Sequence, residues 1–306
     1  MAEKKKTMGF DEIMRNLKAG NFSPIYILMG NEAYYIDKIA DYIAENALAP
    51  EERDFNQEIV FGADTTATQI VDMAKGYPMM APRRVIIVKE AQGLKNLEPI
   101  EKYLANPSAT SLIVLCHKNG TIDARKKIIA KAQAVGVVFE SKKLKDYQLP
   151  SFIEGYLKTR KAAIENKAVM MIAEAVGADL SRLTSALEKI LISLPDNDRR
   201  VTPEVVEEQI GVSKDFNSFE LRDAIVNRDV YKANLIIKYF DSNPKAGSLF
   251  SILPLLFNYF QNLMLAYYAP DKRNENRVAE HLNLKSVWGV KDYMTGMRKI
   301  ILSHRL

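Results

Sequence analysis

The sequence is poor in the residues that build disulfide frameworks and metal sites, with one cysteine and three histidines among 306 residues. A single cysteine, Cys116, excludes an internal disulfide framework and is typical of a reducing compartment such as the cytoplasm. The histidines are dispersed and, together with that cysteine, do not have the spacing of a metal site. We therefore expect a cytoplasmic protein without a bound metal.

Long apolar runs are also missing. A membrane-spanning helix needs roughly 20 consecutive apolar residues, and the nearest candidate, residues 248–268, is interrupted by Pro254 and by three amide side chains. The lysines near the N-terminus are not followed by the apolar stretch of a secretory signal peptide. The balance of 43 basic and 38 acidic residues is too even to indicate nucleic-acid binding by itself. The sequence thus predicts no membrane segment.

The first half of the chain alternates apolar runs with patterns of helical spacing. Two of the runs, residues 83–91 and 110–118, are continuously apolar, which is typical of strands buried on both faces of a parallel sheet. Strands that alternate with helices predict an α/β domain with a doubly wound parallel sheet. The predicted strands are residues 24–30, 56–62, 83–91, 110–118 and 137–141.

After residue 141 the strand patterns stop and only helical patterns follow, with polar breaks at 195–200 and 211–218. We therefore predict an α/β domain followed by two all-α domains. The predicted domains are residues 1–141, 142–211 and 212–306.

The first predicted strand ends in a glycine followed at once by a helix, where nucleotide-binding α/β proteins carry a phosphate-binding loop (P-loop). A working P-loop has the pattern G-x-x-x-x-G-K-[ST], whose amides and lysine bind phosphate and whose hydroxyl binds Mg²⁺. Here Gly30 is followed by Asn31 and Glu32, without a second glycine or a Lys-Ser/Thr pair. Glu32 would repel a phosphate. The sequence predicts a degenerate P-loop with no nucleotide cofactor.

Other catalytic patterns are weak. Glu90, after the third predicted strand, is a lone carboxylate where Mg²⁺-binding residues are expected, and we interpret it as a solvated residue. Cys116 and His117 are adjacent on a strand and point to opposite faces, so they cannot act together as nucleophile and base. We expect no catalytic site of the chain's own.

Five successive segments together resemble the delta subunit of the bacterial DNA polymerase III clamp loader. Each motif is weak alone, but their order is specific and covers essentially the whole chain. The segments are YILMGNEAYYIDKI, YPMMAPRRVIIVKEAQ, KKLKDYQLPSFI, GADLSRLTSALEKI and VTPEVVEEQIGVSKDFNSFELRDAI.

The resemblance implies a degenerate AAA+ module, with an α/β domain, a small helical lid and a helical collar. It implies a subunit that does not bind ATP, that binds the sliding clamp (beta subunit), and that opens the clamp ring for loading onto primed DNA. Implied partners are the ATPase subunits (tau/gamma) and delta-prime, with primer-template DNA contacted through the assembled complex. Delta subunits usually run further than this chain, so the collar is expected to be cut short.

The clamp-binding element of this family is the loop after a first-domain helix, which falls here on Tyr77, Met79 and Met80, with Pro78 and Arg83 supporting. Leucine and phenylalanine are commoner in the family where this chain has its two methionines, and flexible methionine can fill the same kind of pocket. Because Tyr77 continues the apolar face of the preceding helix, we expect it to be partly structural. An alternative is that the loop side chains fold back onto their own domain.

Two other functions stay open. Residues 276–299 resemble a helix-turn-helix, although the start of its second helix, 286–290, is largely apolar where a DNA-binding protein places polar or basic side chains. The other is a P-loop-like nucleotidase with a divergent loop.

The apolar helix predicted at 248–268 must be covered, either by its own domain or by adjacent subunits. Arg83 and Arg84 are expected either to be solvated or to pair with acidic residues around the clamp pocket.

Overall fold

The computed structural model of the chain describes residues 8–243, 249–284 and 290–301. The chain divides into two compact units, each described here by itself. The first unit is Met1–Asp146 with the short segment Ala178–Arg182, and the second is Tyr147–Gly177 with Leu183–Leu306. The predicted boundaries at 142 and 212 stay a prediction.

The first unit is built on a five-stranded sheet in the order β2-β3-β4-β1-β5, with all neighbouring strands parallel. The parallel α/β prediction is confirmed. The strands are β1 (Ile25–Gly30), β2 (Gln57–Phe61), β3 (Arg84–Lys89), β4 (Ser111–Lys118) and β5 (Val137–Ser141). The helices are α1 (Phe10–Lys18), α2 (Ala33–Asn46), α3 (Arg53–Asn56), α4 (Ala67–Lys75), α5 (Glu98–Tyr103) and α6 (Lys127–Val135).

Helices cover both faces of this sheet. One core packs α4, α5 and α6 against alternate strand residues such as Ile86 and Ile113. The other packs α1 and α2 against the intervening residues, such as Ile87 and Val114. Because both faces of the central strands are buried, their sequences are continuously apolar instead of alternating.

The second unit is mostly helical, and no helix in the described ranges is long and apolar enough to cross a membrane. The remaining helices are α7 (Leu149–Thr159), α8 (Asn166–Val176), α9 (Leu180–Ser193), α10 (Pro203–Ile210), α11 (Ser218–Asn227), α12 (Val230–Ser242), α13 (Leu249–Tyr267), α14 (Glu275–His281) and α15 (Val290–Gly296), followed by a π-helical turn at Met297–Ile301.

The prediction that strands stop after residue 141 was wrong in one detail. Two short strands, β6 (Ala163–Ile164) and β7 (Arg200–Val201), pair in parallel within the second unit. Each contains two residues, which is too short for the alternation that identifies a strand in a sequence. Their pairing is therefore set by the helices that bring the two segments together.

Candidate docking loop and altered phosphate-binding site

The loop that carries the predicted clamp-binding residues Tyr77, Met79 and Met80, which we call the docking loop, begins where α4 ends. Thr66 caps α4, since its side chain accepts a hydrogen bond from the Gln69 N–H while the Gln69 side chain accepts one from the Thr66 N–H. Buried Ile70 and Ala74 fix the helix on the sheet. Gly76 then turns to an extended conformation, with φ −65° and ψ 143°, and leads the chain away from the domain.

The loop side chains point into solvent. Tyr77 is 91% exposed, Met80 is 97% exposed and Met79 is 60% exposed. The expectation that Tyr77 is partly structural was wrong, because α4 ends at Lys75 and the extended Gly76 interrupts the helical face that Tyr77 would have continued. The alternative in which the loop side chains fold back onto their own domain is wrong for Tyr77 and Met80, because both side chains are almost fully exposed. Tyr77 and Met80 are the most accessible apolar groups of the loop.

Asn56, at the end of α3, fixes the conformation of this loop. Its side-chain carbonyl accepts a hydrogen bond from the Met79 N–H at 2.6 Å, and its amide donates to the Met79 carbonyl at 3.0 Å. The same amide donates to the Glu52 carbonyl at 2.9 Å, and Asn56 is 1% exposed. Met80 is held with a positive φ of 52°, which non-glycine residues seldom adopt. A buried side chain therefore holds the backbone of Met79 in place.

The two arginines after the loop are engaged within the first unit. Arg84 forms an ion pair with Glu58 on β2, and its guanidinium lies against Gly76, where any added Cβ would come within 2.5 Å of it. Arg83 stacks on the Phe22 ring, with 4.7 Å between the guanidinium carbon and the ring centre. We expected both arginines either to be solvated or to pair with acidic residues of the clamp. This expectation is wrong for Arg84, which binds Glu58 and packs against Gly76 at the base of the loop.

The segment at the predicted degenerate P-loop is packed too tightly to surround a phosphate. Gly30 has a φ of +137°, and a Cβ there would lie 1.9 Å from the backbone oxygen of Ser141. The Asn31 N–H donates to that same oxygen at 3.0 Å, and the Ser141 hydroxyl donates to the Glu32 carbonyl at 2.7 Å. These contacts join the end of β1 to the end of β5.

Glu32 caps α2 at the place where a phosphate would meet a helix N-terminus. Its carboxylate accepts a hydrogen bond from the Tyr34 N–H at 3.1 Å, and the side chain is buried. Burial raises the pKa of Glu32, and the hydrogen bond from Tyr34 opposes that rise. Helix N-termini favour negative charge, and here the protein supplies that charge itself. The residues present do not fit a nucleotide.

At the carboxyl ends of β3 and β4, a lysine lies beside Glu90, the lone carboxylate at the position expected for Mg²⁺ ligands. The Lys118 ammonium lies 2.8 Å from Asp37 and 3.4 Å from Glu90. Burial opposes the charged form of Lys118, but its contacts with Asp37 and Glu90 outweigh burial and raise its pKa. Glu90 is partly solvated, with its side chain 43% exposed, and it also helps to balance the charge of Lys118.

Cys116 and His117 point away from each other, as predicted. The Cys116 side chain is fully buried, and burial raises the pKa of its thiol to about 12. His117 instead lies with its Nδ1 3.2 Å from the Gly120 carbonyl. A buried thiol held in its neutral form is not a nucleophile.

In the second unit, α13 buries one face and exposes the other. Tyr259 and Leu263 lie in its core, whereas Phe257 and Met264 are exposed and line an open groove of about 680 Å³ together with Tyr268. Within the described residues, the helix's own domain covers only one face, so the expected coverage of the other face by adjacent subunits stays a prediction. Of the predicted helix-turn-helix, α14 is present, but residues 285–289 lie outside the described part of the chain.

The chain is similar in sequence and in fold to known proteins. Residues 26–142 match the family described as DNA polymerase III, delta subunit. The DNA polymerase III subunit delta of Bacillus subtilis (strain 168) is 25% identical over 288 aligned residues. The match covers 90% of this chain and 82% of that protein. The solved structure of the Bacillus subtilis DNA clamp loader delta protein (YqeN) has a TM-score of 0.58 at 23% identity and covers 97% of this chain and 89% of that one. At this identity the structural likeness supports the shared fold.

Proposed function

We propose that the chain is a clamp-loader subunit that binds the sliding clamp and opens its ring for loading onto primed DNA. The match of residues 26–142 to the DNA polymerase III delta-subunit family and the similar Bacillus subtilis subunit support this proposal, as does the sequence resemblance. The observation that carries the proposal is the loop of Tyr77, Met79 and Met80, whose apolar side chains are exposed on a backbone fixed by Asn56. Exposed apolar side chains on a rigid loop are suited to docking in an apolar pocket of a partner.

The energetics of the loop favour a reversible contact. Burying one side chain of the size of Met80 contributes about 1.5–3 kcal/mol before ordering costs are subtracted. Because Asn56 already orders the backbone of Met79, less conformational freedom is lost on binding. With Tyr77 exposed as well, the loop offers three apolar contacts. Such a surface can bind a clamp and release it in each loading cycle.

The chain acts without ATP chemistry in this proposal. Glu32 puts a carboxylate at the helix N-terminus where a phosphate would bind, and Glu90 is engaged by Lys118, which argues against the divergent nucleotidase. ATP-driven control of the docking loop then comes from partner subunits, the tau/gamma ATPases and delta-prime, in a cytoplasmic DNA polymerase III holoenzyme. Primer-template DNA would be contacted through the assembled complex.

Exposed apolar side chains in the second unit support a role in subunit assembly. The outer face of α13 exposes Phe250 and Phe257, and α12 exposes Val230 and Tyr231. Uncovered apolar surfaces of this extent mark interaction sites in soluble proteins. They suit a helical collar that packs against neighbouring clamp-loader subunits. No described feature favours the helix-turn-helix alternative.

The proposed function is tested by binding of the purified sliding clamp to the intact chain, followed by a ring-opening measurement. We expect saturable binding without nucleotide, and release of clamps from closed circular DNA when the chain is added without ATP. A chain that folds but does not bind the clamp contradicts the proposal. A chain that binds the clamp but leaves it on the circle contradicts the opening step and retains only the docking step.

Replacing Asn56 with alanine is expected to weaken clamp binding about 5- to 20-fold, because the loop must then be ordered during binding. The loss of a buried hydrogen-bonding side chain should also lower the free energy of unfolding by about 1–3 kcal/mol. Asn46→Ala is the matched control, since the Asn46 amide is exposed and bonds only the Tyr42 carbonyl of its own helix among the described contacts. Equal clamp affinities for the two folded variants would show that Asn56 does not preorganise the loop.

A further inference from the structure

A second exposed apolar surface runs from the end of α3 along strand β2, and we name this surface the β2 strip. It consists of Phe55, Ile59 and Phe61, which are 65%, 50% and 52% exposed. β2 is at the edge of the sheet, and β3 is its only strand neighbour in the described part of the chain. Three large apolar side chains are thus grouped on a short exposed segment.

The strip is exposed because the helical layer does not reach this edge. Ile59 is paired with Ile87, so it shares the sheet face on which Ile87 is buried beneath α1 and α2. Val60 points to the opposite face and packs against the core beneath α4. One side of β2 is therefore covered, and the other is left open.

The strip and the docking loop are joined by one residue. Asn56 lies between Phe55 and the start of β2, and its side chain holds the Met79 backbone through two hydrogen bonds. Both surfaces also belong to the first unit. The N-terminal end of the strip is therefore linked directly to the docking loop.

The loop by itself is small for a specific protein contact. A large side chain buries about 150–250 Å², so three loop side chains supply roughly 450–750 Å², whereas a stable interface buries about 800 Å² on each partner. The β2 strip offers three further large apolar side chains. On the same sheet face as the strip, Lys89 is the register partner of Phe61 and forms an ion pair with Asp41, so its charge is balanced beside the apolar side chains.

We propose that the β2 strip is a second part of the clamp-docking surface and packs against an apolar surface of the sliding clamp next to the pocket that receives the loop. This inference rests on the proposed function. It assigns to Phe55, Ile59 and Phe61 a contact that neither the degenerate P-loop nor the docking loop explains.

The test measures clamp affinity for four forms of the intact chain. We expect Phe55→Ala/Phe61→Ala to bind about 5- to 20-fold more weakly than the unmodified chain, and Met80→Ala to bind more weakly as well. Ile192→Ala, which removes an exposed apolar side chain in the second unit, should bind like the unmodified chain. All four should have similar unfolding midpoints, since the replaced side chains are exposed.

Hydrogen exchange provides a readout of contact that does not depend on substitution. The Gly62 N–H bonds to the Lys89 carbonyl, so by alternation the amides of Ile59 and Phe61 face the open edge. Clamp binding should slow exchange across residues 55–61 as well as across the loop.

The outcomes separate the two proposals. Weaker binding of Met80→Ala with unchanged binding of Phe55→Ala/Phe61→Ala, and no slowed exchange at 55–61, overturns the inference and leaves the proposed function standing. Absence of clamp binding by the unmodified chain overturns both. If the double variant reduces self-association in sedimentation but not clamp binding, the strip is covered by a second copy of the chain and the inference is also overturned.

Discussion

Replacing Met79 and Met80 together with alanine should weaken binding to the sliding clamp by at least about 30-fold, which corresponds to about 2 kcal/mol. The expected loss follows from the two side chains, because each contributes about 1.5–3 kcal/mol when an apolar pocket buries it and part of this is offset by ordering. Isothermal calorimetry with purified clamp measures the change. The variant should remain folded, since neither side chain lies in the core.

The single variants should differ in a direction that the structure sets. Met80 is 97% exposed and Met79 is 60% exposed, so Met80→Ala should cost more affinity than Met79→Ala. Met264→Ala is the matched control, because Met264 is exposed to a similar extent as Met79 but lies on α13 in the second unit. Undiminished clamp binding by the double variant would refute the assignment of the docking loop.

Replacing Gly30 with alanine should destabilise the first unit by more than about 4 kcal/mol, the range seen for severe backbone and packing conflicts. A Cβ at this position would lie 1.9 Å from the Ser141 carbonyl oxygen, and the φ of +137° is a conformation that L residues rarely adopt. Both obstacles involve backbone atoms, so no side chain can move to relieve them. Urea unfolding followed by circular dichroism measures the loss.

Gly120→Ala is the control for this prediction. Gly120 is bridged to Gly30 in the sheet, but a Cβ there meets only the His117 ring, at an ordinary contact distance of 3.6 Å. We expect that variant to change the free energy of unfolding by less than about 1 kcal/mol. A stability for Gly30→Ala equal to that of Gly120→Ala would mean that β1 and β5 do not close as described. In a working P-loop a glycine makes room for phosphate, whereas Gly30 makes room for a neighbouring strand.

Part of the candidate site could be predicted from the sequence because its signals are local. The missing glycine and lysine after Gly30 are read directly from consecutive residues. The apolar loop stands out because Tyr77, Met79 and Met80 replace the polar residues expected at a turn. The partly structural role expected for Tyr77 failed because it depended on the last turn of a helix, and helix ends depend on caps and tertiary contacts more than on periodicity.

The sequence by itself determined the five strands of the parallel sheet, the mostly helical second half and the position where P-loop residues are missing, because side-chain periodicity and short motifs are encoded in neighbouring residues. The tertiary structure decided which of these features are exposed and what holds them. Asn56 reaches Met79 across 23 residues, and Lys118 meets Asp37 and Glu90 only because β4 lies beside both β1 and β3. β2 is second along the chain but at the edge of the sheet, which leaves Ile59 and Phe61 uncovered. Strand order and long-range hydrogen bonds bring together residues that local patterns cannot relate, and that is why the support of the docking loop by Asn56 and the exposed β2 strip could be seen only in the folded chain.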